Sequence, residues 1–225
     1  MMLISEKLLL LLTPESGKNR YSNTHLVLAS GVLADLLYRG LVTLSDGRLP
    51  KVTAVADAEV PDSPMLAQAL DHLRSRGSMR AQHFVTSRQC SDRELIAEPL
   101  VQRGILTRGE KGFFGLGSRA LPEADGSIEA QLRRDLAEGL SGHRVLSAED
   151  ATVLAVLRAG NLLWPVMRND VDDSVTWRSI GKRVDSLMSA AAADPSASDA
   201  LRATLAAAAA VAALAATTAA TTATS

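Results

Sequence analysis

Cys90 and His83 are the residues in this chain that come nearest to a nucleophile and its base. Cys90 is the single cysteine and follows His83 by seven residues, so a thiol–imidazole pair is conceivable. No third group in the sequence would orient such a pair, and a cysteine next to a helix cap is usually inert. One thiol also excludes an internal disulfide and a cysteine-based zinc site. We therefore expect Cys90 to be a structural residue.

Other motif-like segments do not have the spacing that their chemistry requires. Gly17-Lys18 lacks the upstream glycine and the following Ser or Thr of a phosphate-binding loop. The pairs Glu149-Asp150 and Asp172-Asp173 are typical of helix first turns, where carboxylates favour the helix dipole. Three glycines do not fit a dinucleotide-binding loop and precede no helix: Gly112, Gly115 and Gly117. The sequence predicts no enzyme, no metal site and no cofactor.

Charge is distributed unevenly along the chain. The 225 residues include 24 basic and 25 acidic side chains, which excludes a whole-molecule binder of nucleic acid. Between Arg74 and Arg119, however, nine basic residues stand against four acidic ones. The same stretch holds Phe113, Phe114 and Leu116. This combination predicts contact with an anionic surface through arginines, together with insertion of apolar side chains. The alternative interpretation is that these apolar side chains belong to the core.

The elements that position these residues are mostly helices. Hydrophobic residues make up 47% and aromatic residues only 3%, so the core must be built from Leu, Val and Ala, which favours helices over a β-sandwich. A buried first helix begins near Ser5 and stops before Pro14, and a second runs from Thr24 to Tyr38 and ends at Arg39-Gly40. A hairpin then turns at Asp46-Gly47 between two short apolar runs.

A second helix-then-hairpin unit follows the first. Ser63-Pro64 predicts the start of a helix, and a capping box at Ser91 starts another that runs to Arg103. Residues 105–107 and 113–116 are predicted to pair around a turn at 108–111. Arg39-Gly40 and Arg103-Gly104 take the same place in the two units, at the end of a helix and before a strand. Two copies are too few for a solenoid.

From residue 127 onward the pattern is helical. Caps are predicted at Ser127 and Ser147, and helix ends near Gly139, Ala159, Met167, Ala193 and Ala216. Neither the leucine run of residues 8–12 nor the alanine-rich tail of residues 205–216 has the length or hydropathy of a membrane span. The predicted fold class is mainly α, with one globular helical domain over residues 1–220, short β-hairpins and a frayed tail at 221–225.

A winged-helix DNA-binding module is the alternative interpretation. The helix from Ser91 to Arg103 would be the recognition helix and residues 108–111 the wing tip. Its polar positions include Glu94 and Glu98, which would repel phosphates.

Taken together, several segments resemble the Golgi phosphoprotein 3 family, which includes many bacterial proteins. These segments are Glu6 to Leu10, Gly31 to Gly40, Leu100 to Thr107 and Ala120 to Pro122, in the family's order. The resemblance implies a mostly helical domain with a basic, flat, membrane-facing side and a protruding hairpin. It also implies binding of phosphatidylinositol 4-phosphate and an adaptor role, without enzyme activity, in a cytoplasmic protein peripherally associated with membranes.

The resemblance also assigns residues to a headgroup site. The family's loop tryptophan falls among Arg20, Tyr21 and Ser22, its helix arginine falls at Ala29, and its arginine pair falls at Cys90 and Arg93. Arg93 alone matches, so we expect a weaker or different anionic-lipid preference, with three nearby cations and one interfacial aromatic completing the site: Lys18, Arg20, Arg88 and Tyr21. Phe113, Phe114 and Leu116 would form the hairpin that inserts into bilayers and supports self-association.

Overall fold

Leucine-rich α1 (Ile4–Leu12) lies at the centre of the fold. Four helices pack against it: α2 (Thr24–Tyr38), α5 (Arg93–Gln102), α6 (Ser127–Ser141) and α7 (Ala148–Ala159). Leu8 to Leu12 are all buried, because a helix surrounded by others is apolar on every side. The structure is a computed structural model that describes residues 2–14, 16–18, 21–45, 49–110, 119–172 and 175–193. The predicted first helix and the exact span of the second are confirmed.

A small antiparallel sheet flanks the helices, in the order β1 (Val42–Leu44), β2 (Lys51–Ala54) and β3 (Ser78–Arg80). Val52 lies opposite Leu44 on one side and Met79 on the other. The first predicted hairpin is thus confirmed, although its turn residues Asp46-Gly47 lie outside the described residues. α3 (Pro64–Arg76) joins β2 to β3, and α4 (Ala81–Thr86) and a 3₁₀ turn (Arg88–Cys90) follow. Sequence patterns did not predict β3 or α4.

The backbone has the same local geometry at Arg39-Gly40 and at Arg103-Gly104. Arg39 donates its N–H to the Asp35 carbonyl, and Leu41 donates to the Leu36 carbonyl at 2.9 Å. The equivalent bonds recur at the end of α5, where Ile105 donates to the Leu100 carbonyl at 2.9 Å. Gly40 and Gly104 both have φ near +70° (65° and 72°), the left-handed conformation that ends helices and that glycine adopts without strain.

Two of the predicted helix caps are wrong. At α5 the cap is Asp92, whose carboxylate accepts the N–H groups of Glu94 (2.9 Å) and Leu95 (3.3 Å), whereas Ser91 bonds back to the Ser87 carbonyl. At α6 the cap is Gly126, and Ser127 is the first helical residue. In both cases an aspartate carboxylate accepts an N–H group of the first helical turn, and at α6 it is Asp125, which accepts the Ser127 N–H at 2.9 Å. Ser147 is confirmed as the cap of α7, where it accepts the Asp150 N–H.

The second predicted hairpin has a different register. Thr107 donates to the Pro122 carbonyl at 2.8 Å, Gly109 donates to Ala120 at 3.0 Å, and Ala120 donates to Glu110 at 3.2 Å. Residues 105–110 therefore pair with 119–124, so the predicted turn at 108–111 is wrong for residues 108–110, which are paired. Lys111 and the predicted partner strand at 113–116 lie outside the described residues.

The second half is a helical layer over α1 and α2. α6 and α7 are followed by α8 (Leu163–Met167) and α9 (Trp177–Ala193), close to the predicted ends. The fold is mainly α with short β-hairpins, as predicted. Within the described part of the chain, no helix is long and apolar enough to cross a bilayer. The alanine-rich tail and residues 221–225 lie outside the described residues.

Candidate functional site

The loop that follows α1 is held by an unusually close backbone contact at Gly17. Gly17 has φ +71°, and a Cβ built there would lie 2.5 Å from the backbone of Leu121 and of Pro122. Its carbonyl accepts the Leu121 N–H at 3.0 Å, and its N–H donates to the Pro14 carbonyl at 2.7 Å. Only glycine combines this φ with this approach. The loop and the strand that leaves the second hairpin therefore form one backbone unit.

Arg93 ties the start of α5 into the same unit. Its guanidinium donates to the Gly17 carbonyl and to the Arg119 carbonyl, both at 2.8 Å, and reaches Thr13 Oγ1 at 3.3 Å. Burial lowers the pKa of Arg93 below its usual value, and neighbouring Glu94 opposes the shift. Three of the five guanidinium N–H groups are used in this way, which leaves two. Arg93 is thus first a positioning residue, with limited capacity for a ligand.

Two further cations of the predicted site lie close to this unit in the chain. The side chains of Lys18 and Arg88 are exposed, and neither forms a hydrogen bond or ion pair with another described residue. Lys18 directly follows Gly17, and Arg88 begins the 3₁₀ turn before α5. Arg20, which the sequence places in the same group, lies outside the described residues, as do Phe113, Phe114 and Leu116.

The two positions at which the resemblance places further arginines of the headgroup site are part of the core here. Ala29 and Cys90 are both fully buried. Burial raises the pKa of the Cys90 thiol to about 11, so the thiol is neutral at physiological pH and unreactive. The charge that the resemblance implies at these positions must come from other residues or be absent.

Tyr21 lies at a polar cavity on the other side of the loop. Its hydroxyl reaches the Pro165 carbonyl at 3.4 Å. The cavity, of about 320 Å³, is lined by the end of α1, the loop, α6, α8 and the segment after α8. Arg93 does not line this cavity, but its guanidinium reaches Thr13 Oγ1, which does.

Sequence reasoning missed Arg133, the central charged residue of that cavity. Its guanidinium donates to Glu129 at 2.6 Å, to Asp170 and the Val166 carbonyl at 2.9 Å each, and to the Leu11 carbonyl at 3.3 Å. Burial raises the pKa of Glu129 to about 7, although Arg133 opposes the shift. Apart from the i, i+4 spacing of Glu129 and Arg133, no local signal marks this network, because its other partners lie 33 to 122 residues away.

α5 does not have the surface of a recognition helix. It packs between α1 and α3 with Ile96, Ala97 and Leu100 buried. Asp92 and Glu94 are exposed at its start, where they would repel DNA phosphates. Among the described residues, no group of His, Cys, Asp and Glu could hold a metal ion.

Comparison with known families decides the relationship. The model of the family described as Golgi phosphoprotein 3 matches residues 3–208, nearly the whole chain. The protein belongs to the Golgi phosphoprotein 3 family. This family is not an enzyme family, and it is known generally for binding phosphatidylinositol 4-phosphate. A search among curated proteins gave no significant match.

Proposed function

We propose that this Golgi phosphoprotein 3 family member is a cytoplasmic, peripheral membrane protein. It binds anionic phospholipid headgroups of the phosphatidylinositol 4-phosphate kind. The proposed contact residues are Lys18, Arg20, Tyr21, Arg88 and Arg93. Family membership supports this class of function, and an adaptor role follows from the same relationship.

The observation that carries the proposal is the junction at Arg93 and Gly17. Here the loop after α1, the start of α5 and the strand leaving the second hairpin are joined by hydrogen bonds of 2.8 to 3.0 Å. Lys18 directly follows Gly17, Arg88 lies five residues before Arg93 in the chain, and both side chains are exposed. A rigid basic surface loses less conformational entropy when it binds a headgroup than a mobile one does.

The same junction fixes the base of the hairpin whose apolar residues we expect to insert into the bilayer. Arg119 and Leu121 lie on the strand that returns from residues 111–118, and both bond to the junction. Headgroup contact by Lys18 and Arg88 and insertion of Phe113, Phe114 and Leu116 would then occur on one side of the molecule. Self-association through the hairpin would add avidity to weak single contacts.

Co-sedimentation with liposomes tests the proposal. Neutral phosphatidylcholine vesicles are compared with vesicles that also carry phosphatidylinositol, its 4-phosphate, phosphatidylglycerol or cardiolipin. We expect pelleting with the anionic vesicles only. The double variant Lys18→Glu/Arg88→Glu should weaken partitioning at least tenfold, because each basic residue near an anionic surface contributes about 1 kcal/mol.

A charge-matched control separates site binding from net charge. Lys51→Glu/Lys182→Glu changes the net charge equally, on β2 and α9, where both side chains are exposed. Equal loss in the two double variants would contradict a localised site. Pelleting independent of vesicle charge, or binding of duplex DNA in its place, would overturn the proposal.

A further inference from the structure

A second cavity lies between the end of α6, the start of α7 and α9, away from the residues proposed above. Its volume is about 470 Å³, within the range of small-molecule sites. Among the described residues, no acidic side chain lines it, and three side chains with basic groups do: His143, Arg144 and Arg183.

Arg183 is an exposed residue whose guanidinium lies against the backbone of Gly142 at this cavity. Its Nη2 atom lies 2.9 Å from where a Cβ on Gly142 would be, and Gly142 has φ +83°. A side chain at position 142 would take the space that the guanidinium occupies. Within the described part of the chain, the Arg183 guanidinium forms no hydrogen bond or ion pair, whereas Arg144 is paired with Asp135. The cavity therefore contains an unneutralised guanidinium.

Two acidic residues that follow the cavity-lining residues 142–148 in the chain are directed elsewhere. Glu149 and Asp150, in the first turn of α7, pair with Lys7 of α1 at 3.9 and 2.8 Å. Neither lines the cavity. The positive potential of Arg183 is thus not cancelled by these carboxylates, whereas that of Arg144 is offset by Asp135.

Apart from Ser147 and two glycines, the remaining described wall is apolar. Leu146, Ala148 and Ala151 line it, and Val145 at the rim is 92% exposed. A plain inorganic anion would leave this wall in contact with water. A ligand that carries an anionic group and a short apolar body satisfies both parts.

We propose that this cavity is a second binding site, which takes a phosphomonoester attached to an apolar group, with Arg183 as the main contact to the phosphate. The chemical group that all such ligands have in common is an alkyl phosphate. It occurs both in soluble phosphomonoesters and in phosphatidic acid. The site is distinct from the headgroup site of the proposed function and does not depend on it.

Isothermal titration calorimetry on the full chain tests this proposal with four probes: hexyl phosphate, inorganic phosphate, hexanol and monomeric dihexanoyl phosphatidic acid. We expect saturable 1:1 binding of hexyl phosphate, with inorganic phosphate and hexanol each at least tenfold weaker. Arg183→Gln should weaken hexyl phosphate by about tenfold or more, as for loss of a charge-assisted hydrogen bond. If dihexanoyl phosphatidic acid binds as tightly as hexyl phosphate, the natural ligand of the site is a lipid. If it does not bind, the natural ligand is a soluble phosphomonoester.

Arg178→Gln is the matched control. It lies on the same helix, outside the cavity, with its guanidinium 5.4 Å from the Trp177 ring centre, and it should bind hexyl phosphate as the wild type does. Lys18→Glu/Arg88→Glu should also retain binding, which separates this site from the proposed headgroup surface. Absence of hexyl phosphate binding, or equal affinity in Arg183→Gln, would overturn the proposal. Inorganic phosphate bound as tightly as hexyl phosphate would also contradict it.

Discussion

The Asp35 carboxylate accepts two hydrogen bonds from Ser5, one from its N–H at 2.9 Å and one from its hydroxyl at 2.6 Å. It accepts a third from the Ile4 N–H at 2.8 Å. A side chain of α2 therefore caps the first turn of α1, a role that a residue at the helix's own start usually fills. The N-cap of α1, Leu3, has no side-chain oxygen that could do this.

Asp35→Asn should destabilise the protein by about 2 kcal/mol at pH 7, because one amide oxygen cannot replace both carboxylate oxygens and the amide N–H groups would face donors. Urea unfolding measures the change. Asp57→Asn, at an exposed position after β2, is the matched control and should lie within about 0.5 kcal/mol of the wild type.

The pH dependence of stability should also differ between wild type and Asp35→Asn. Burial raises the pKa of Asp35 from 3.8 to about 6, despite the hydrogen bonds from Ser5 and Ile4. The folded state then holds the proton more tightly than the unfolded state, so the Asp35 contribution rises as the pH falls from about 6 toward 4. The gap between the two proteins should widen by up to about 1.4 kcal/mol per pH unit in that window. A constant gap between pH 7 and 5 would refute the shifted pKa.

Some of this architecture is readable from sequence, and some is not. α2 was predictable to the residue, because apolar periodicity and Arg39-Gly40 mark it locally. The Asp35 cap joins positions 30 and 31 residues apart, and nothing near Ser5 identifies its acceptor. β3 is three residues long, too short for an alternating pattern to be recognised.

The candidate site shows the same division. Family resemblance located Arg93, but the sequence did not indicate that its guanidinium bonds to the carbonyls of Gly17 and Arg119. These carbonyls lie 76 and 26 residues away. Every residue has a backbone carbonyl, so the sequence does not show which carbonyls accept hydrogen bonds from Arg93. The sequence therefore predicted only that Arg93 binds a ligand.

Gly17→Ala should cost more stability than Gly104→Ala. The two glycines have nearly equal φ, +71° and +72°, but nothing lies within 4 Å of a Cβ at position 104. Gly104→Ala should therefore cost about 1 kcal/mol for the left-handed conformation alone. At position 17 the clash with the Leu121 backbone adds a further 1–3 kcal/mol or so. Equal losses in thermal or urea unfolding would show that the loop moves away from Leu121 without strain.

Arg133→Met should destabilise the helical second half by about 3 kcal/mol, since Glu129 and Asp170 would lose their shared cation and two backbone carbonyls would lose a donor. Arg134→Met on the next position of α6 is the control. Arg134 is exposed and bonds only to Gln131 among the described residues. Its replacement should change the free energy of unfolding by less than about 0.5 kcal/mol. Similar losses for the two variants would mean that the Arg133 network contributes little.

Arg93→Lys should loosen the junction while it preserves the positive charge. An ammonium offers its donors from one atom, whereas the guanidinium of Arg93 reaches two carbonyls and Thr13 from separate nitrogens. We expect a loss of about 1–2 kcal/mol in stability and faster amide hydrogen exchange in the peptide that contains residues 13–18.

Arg88→Lys provides the comparison for that experiment, because Arg88 is exposed and forms no side-chain bond to another described residue. It should leave exchange at 13–18 unchanged. If Arg93→Lys also left hydrogen exchange at 13–18 unchanged while liposome binding fell, Arg93 would contact the headgroup directly. The assignment of Arg93 as a positioning residue would then be wrong. If exchange rose and liposome binding fell together, the rigidity of the loop would be part of how this surface binds a membrane.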